Sequence, residues 1–139
     1  EIVHQFNTSN SPLLSDKIYS IEINENTGEV FIGSDKGLVS YKGEATKGKD
    51  DYSDVYAYPN PVRPEYRDKV TITGLMDNSI VKITDLNGNL VYQTKSLGGQ
   101  AIWNCRNTKG VRVASGVYLV LSATEDSKES IVTKIAVIK

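Results

Sequence analysis

Most of what usually carries chemistry is missing from these 139 residues, which hold one cysteine, Cys105, and one histidine, His4. A single cysteine excludes an intrachain disulfide and a CxxC metal pair. With its only histidine about a hundred positions away, Cys105 reads as a small buried apolar residue rather than a nucleophile with a base beside it. There is no Ser/His/Asp spacing, no HExxH, no GxSxG, and no carboxylate pair set among apolar residues to split its pKa values. A non-catalytic chain without metal or cofactor is the expectation. No run of 18 apolar residues exists, so no helical membrane span is expected, and the first residues have neither the basic start nor the apolar stretch of a signal peptide. The missing initiating Met leads us to expect a piece of a longer protein.

Charge is nearly balanced at −1 but unevenly spread. Residues 1–54 carry 5 Lys and 10 Asp or Glu, giving −5; residues 55–139 carry 11 basic and 7 acidic side chains, giving +4. A mildly basic second part suits an anionic surface partner, although a solvated face with a few extra lysines explains it as well. Aromatic and basic residues do not interleave as a nucleic-acid groove requires, so no nucleic-acid partner is expected.

Proline is scarce, with four in the chain, yet Pro59, Pro61 and Pro64 fall within six positions of Tyr58-Pro59-Asn60-Pro61-Val62-Arg63-Pro64. Each removes a backbone donor and fixes φ, which predicts a stiff extended lead-in at a domain boundary. Before it, four runs read as a meander: Glu1 to Phe6, Lys17 to Ile23, Glu29 to Gly33 and Leu38 to Lys42. Residues 44–54 are polar and charged, and read as a linker that either lets its neighbours move or is held down by contacts. From Val55 on, about seven alternating strands separated by turn signals predict an antiparallel, immunoglobulin-like β-sandwich over residues 55–139. The fold class is therefore all-β.

Several motifs have plain structural readings. Asn87-Gly88 predicts a hairpin tip with two positive φ angles; the downstream Ser96 denies Asp85-Leu86-Asn87-Gly88-Asn89 the acid that a calcium loop needs. Leu97-Gly98-Gly99-Gln100 reads as a connection between strands, since no helix follows to cradle a phosphate. Glu125 to Glu129 reads as a solvated hairpin tip. Trp103, the largest side chain, is the expected core anchor. Tyr52, Tyr56, Tyr58 and Tyr66 cluster near the proline segment and either pack on the sandwich or bind glycan. A terminal strand, Ser130 to Ile138, can complete the core through Ile131, Ile135 and Val137 while offering a free edge for strand addition. Lys134, Ile135, Val137, Ile138 and Lys139 are thus the candidate recognition residues.

Two resemblances add to this reading. Ser11 to Gly43, "SPLLSDKIYSIEINENTGEVFIGSDKGLVSYKG", resembles the repeat of periplasmic β-propellers in Bacteroidetes two-component sensors, which implies that residues 1–43 are the last blade of a propeller whose other blades are absent. The block from Val55 resembles the C-terminal domain of type IX secretion cargo in Bacteroidetes, and more closely that of PorZ-like proteins. It does so through "VYAYPNPVRPEY" with Pro59, Asn60 and Pro61, "VKITDLNGNLVYQTKSLGG" with Asn87 and Gly88, "IWNCRNTKGVRVASGVYLVL" with Trp103, Gly110, Gly116 and Tyr118, and "VTKIAVIK". The resemblance implies an exported, cell-surface or outer-membrane protein whose sorting module is recognised by the translocon or attachment proteins, with anionic lipopolysaccharide as a further partner. Asn104-Cys105-Arg106 stands where relatives have a short Gly or Asp turn. The alternative is a spacer or carbohydrate-binding domain on a periplasmic sensor.

Overall fold

The computed structural model describes residues 4–139, which form two compact units meeting between Gly43 and Glu44. The first is an antiparallel meander of β1 (Ile18–Asn24), β2 (Glu29–Ser34) and β3 (Gly37–Lys42). Asn24 makes the first turn: its side chain accepts from the Asn26 amide, its carbonyl accepts from Gly28, and Gly28 takes φ +72°. Register places Ile21, Ile32 and Val39 in one cross-strand row and Ile23, Val30 and Tyr41 in the next, so one sheet face is apolar. Its β1 side is bare, with Tyr19, Ile21 and Ile23 all more than half exposed. The four runs expected from sequence become three strands: residues 1–3 of the first run lie outside the described residues, and His4 to Phe6 are not strand.

The second unit is a sandwich of two antiparallel sheets. Its strands are β4 (Tyr56–Tyr58), β5 (Val70–Thr73), β6 (Ile80–Thr84), β7 (Leu90–Lys95), β8 (Gln100–Trp103), β9 (Gly116–Ala123) and β10 (Ser130–Val137). The larger sheet has the order β10-β9-β6-β7 and the smaller β4-β5-β8. In a constant immunoglobulin domain the fourth strand joins the sheet of the fifth; here β7 stays beside β6. The tight turn between them leaves no length for a crossover. That turn also corrects the expected hairpin geometry, because only Gly88 is left-handed, at φ +84°. Asp85 replaces the second positive φ by capping: its carboxylate accepts from the amides of Asn87 and Asn89 and from the Asn89 side chain. Those bonds hold the Asp85 carboxyl below its ordinary value.

Alternation puts one side chain in two between the sheets. Val70 and Ile72 of β5, Val81 and Ile83 of β6, Trp103 of β8, Val120 of β9 and Ile135 of β10 are all fully buried. β8 ends at Trp103, and two residues on Cys105 turns left-handed at φ +56° while its side chain stays buried.

Residues 44–54 are held down, the second of the two behaviours open to them, by backbone bonds their polar sequence does not display. Thr46 N donates to Leu97 O, Lys49 N to Leu75 O, and Gly99 N back to Thr46 O. The Tyr52 hydroxyl lies 2.8 Å from Ser79 Oγ. This strap explains the paired glycines. Gly98 sits at φ +60°, and a Cβ there would run into the Thr46 carbonyl oxygen.

Gly98→Ala should therefore lift the strap. It should destabilise the chain by about 1–3 kcal/mol in urea unfolding and make residues 44–54 the first site of limited proteolysis. Unchanged stability and protection would show that the close approach is not what requires glycine.

Candidate functional site

The terminal strand β10 is built from its register on β9, where Ile135 faces Tyr118 and Val137 faces Gly116. Ile135 and Val137 are consequently core residues, 0 % and 2 % exposed. Of the five candidate recognition residues only Lys134, Ile138 and Lys139 present themselves to solvent. The expected Ile131 contribution to the core is also absent: Ile131 is 55 % exposed, next to a register shift between Ile131 and Thr133.

In an antiparallel ladder every second residue turns its backbone groups away from its partner. On β10 these are Lys134, Ala136 and, just beyond it, Ile138, and the proline segment meets them. Asn60 Nδ2 donates to Lys134 O at 2.8 Å, and Asn60 Oδ1 accepts from Ala136 N at 3.0 Å. Val62 N donates to Ala136 O and Val62 O accepts from Ile138 N, both at 2.8 Å. The chemistry of the segment makes this necessary. Pro59 and Pro61 have no N–H to give, so the primary amide of Asn60, with a donor and an acceptor, takes the place of a peptide group. Val62 then buries its side chain completely. Lys139 N donates to Ser115 Oγ and ties down the last residue. The edge expected to be free for strand addition is thus occupied from Lys134 to Ile138. Sequence reasoning singled out Asn60 and the prolines as a boundary, but missed Val62 and Ser115 as partners of the terminal strand. Polar Asn between two prolines was the available signal.

The remaining motif residues support this site from within. Trp103 is fully buried, its Nε1 donates to Arg106 O at 2.9 Å, and its ring lies 5.5 Å from that of Tyr118. The Tyr118 hydroxyl donates to Ala114 O at 2.8 Å, which is the arrangement of a tyrosine corner at the start of its strand. Gly110, at φ +77°, closes a turn capped by Asn107. At Gly116 an added Cβ would meet only the Tyr118 ring at 3.9 Å, and nothing in the structure requires glycine there. Burial pushes the Cys105 thiol up against a smaller opposing effect of Arg112, and its fully buried side chain belongs to the apolar core. The four tyrosines divide: Tyr52 and Tyr66 pack against the core, whereas Tyr56 and Tyr58 are 58 % and 49 % exposed with ring centroids 6.0 Å apart. Among the described residues, no three His, Cys, Asp or Glu side chains are grouped to hold a metal, and no helix is long and apolar enough to cross a membrane.

The clasp on β10 predicts that Asn60→Ala, which removes both a donor and an acceptor from the strand, costs about 1–3 kcal/mol in urea unfolding. A loss below about 0.5 kcal/mol, the scatter of ordinary surface substitutions, would show that water replaces the side chain without cost.

Residues 56–139 match the family model described as "Secretion system C-terminal sorting domain". No curated protein matches the chain. Among solved structures, PorZ is described as an essential bacterial surface component of the type-IX secretion system of Porphyromonas gingivalis. It is similar over 100 % of this chain, at 43 % identity and a TM-score of 0.66, and the chain spans 19 % of its length. Dimeric latent PorU from the same organism is more distant: 22 % identity over 79 % of this chain and 12 % of that one, with a TM-score of 0.46. With well over half of its residues inside the matched sandwich, the chain belongs to the family of secretion system C-terminal sorting domains.

Proposed function

We propose that the sandwich is a non-catalytic sorting and surface-anchoring module of an exported protein, recognised by the type IX secretion translocon or its attachment proteins. The observation that carries this reading is that the matched stretch takes in every strand of the sandwich, β4 to β10. The match to the sorting family begins at Tyr56, the first residue of β4, and runs through Lys139. It lies wholly inside the compact unit of residues 44–139. A module read by a machine must be a self-sufficient body with its own core, and this one has it in Trp103, Ile72, Ile83 and Ile135.

The first unit fits the same reading as the closing part of a larger β domain. Its three strands leave Tyr19, Ile21, Ile23 and Leu38 more than half exposed, which a finished domain of this size does not do. A propeller's last blade, covered by preceding blades, is the arrangement we infer. A second reading, binding of a surface polysaccharide such as that of anionic lipopolysaccharide, is favoured by the exposed Tyr56 and Tyr58 pair, whose apolar rings and polar tips suit sugar faces.

Deleting residues 56–139 from the full-length protein should leave it inside the outer membrane, measured by protease accessibility on intact cells and by fractionation. Wild-type surface display of the deletion would contradict the sorting reading. Such display combined with lost retention on the cell's polysaccharide would favour the second.

A further inference from the structure

The two margins of the sandwich differ in a way that assigns them different tasks. At one margin β10 is closed by Asn60 and Val62, and its neighbour β4 is only three residues long, each of them paired with β5. At the other margin run β7 and β8, each the last strand of its sheet. The phase of the β6–β7 ladder is fixed by Ser96 N donating to Ser79 O. Counting from that pair, Val81 with Thr94 and Ile83 with Tyr92 exchange bonds, and Gln93 and Lys95 turn theirs outward. Beyond Tyr92 the register shifts, and Val91, which the shift leaves out of the pairing, accepts from Thr108 N through its carbonyl. The outward backbone groups of Gln93 and Lys95 have no partner among the described residues. Both residues are exposed.

A cleft of about 240 Å³ opens beside this edge, lined by Tyr92, Lys95, Gln100 and Asn104. Glu44 and Lys69 also line it and pair with each other at 2.7 Å. Lys95 has no carboxylate within ion-pair distance among the described residues, so the cleft carries one uncompensated positive charge. Open edges are normally blunted, and past the cover of Thr108 on Val91 the stretch from Gln93 to Lys95 is guarded by a lysine, which repels a basic strand and attracts an acidic one. We propose that the β7 edge takes an extended segment of a partner polypeptide as an added strand. The segment bonds to the backbone of Gln93 and Lys95 and places a carboxylate side chain at Lys95. This inference rests on the sorting reading and names the surface through which a recognising protein would hold the module.

The test uses the full-length protein in its own cells with four changes: Gln93→Pro, Gln93→Ala, Lys95→Glu and deletion of residues 56–139. Proline at 93 removes an outward donor while leaving the bonds to β6 intact; alanine keeps the donor and controls for the side chain. The fraction displayed at the cell surface should fall about five- to ten-fold for Gln93→Pro, as for loss of a bound hydrogen bond. It should fall similarly for Lys95→Glu and stay unchanged for Gln93→Ala, with thermal midpoints of the purified proteins unaltered. Should Gln93→Pro fail to fold, Lys95→Glu decides alone. Normal display of folded Gln93→Pro and Lys95→Glu, with the deletion retained inside, would overturn the edge inference and leave the sorting reading standing. Normal display of the deletion would overturn both. A concentration-dependent dimer of the purified protein that Gln93→Pro abolishes would overturn the inference by assigning the edge to a second copy.

Discussion

The hold of Asn60 and Val62 on the terminal strand is the constraint on which the rest of the module depends. A strand at the edge of a sheet has one margin paired and one bare, and a bare margin frays or recruits a neighbour. Here four hydrogen bonds, two through a side-chain amide and two through backbone, cross from residues 60–62 to residues 134–138. They span 74 to 76 residues of sequence and tie the beginning of the domain to its end. Ile135 and Val137 can then be core residues instead of a tail laid on the surface, and Trp103 and Tyr118 have a fixed wall to pack against.

Closing one margin concentrates whatever recognition the sandwich performs on what is left open. The outward groups of Gln93 and Lys95 stand on a strand held firmly on its other side by β6, so they are presented without being mobile. The strap of residues 44–54 reinforces the same region by docking on the Gly98-Gly99 connection between β7 and β8. The open margin is thus supported by β6 along its length and by the strap at its Gly98-Gly99 end, as a site built on rigid elements should be.

Elements governed by local pattern were legible in the sequence. β9 runs over Gly116–Ala123, as the alternation of Val117, Leu119 and Leu121 indicates, although the buried face is the opposite one, Tyr118, Val120 and Ser122. Trp103 was readable as an anchor from its size alone. Interactions between distant parts of the chain were not legible. The sequence leaves open whether residues 44–54 swing or dock, because the bonds that dock them are backbone bonds, which composition does not report. The Asn60 clasp needs a partner more than 70 residues away, and the proline pattern shows only that something other than a backbone amide must serve. Cys105 was invisible as a left-handed residue because cysteine has no preference for that conformation. The Asn87-Gly88 tip was right in place and different in geometry, since Asp85 supplied a cap that a dipeptide rule does not weigh.

Amide hydrogen exchange on the native chain, read residue by residue, tests the contrast between the margins most directly. The account predicts that Ala136 and Ile138, which donate to Asn60 Oδ1 and Val62 O, exchange only through the global opening of the sandwich, while Gln93 and Lys95 exchange at nearly the rate of an open chain. Rapid exchange at Ala136 and Ile138, or strong protection at Gln93 and Lys95 in the isolated protein, would contradict it.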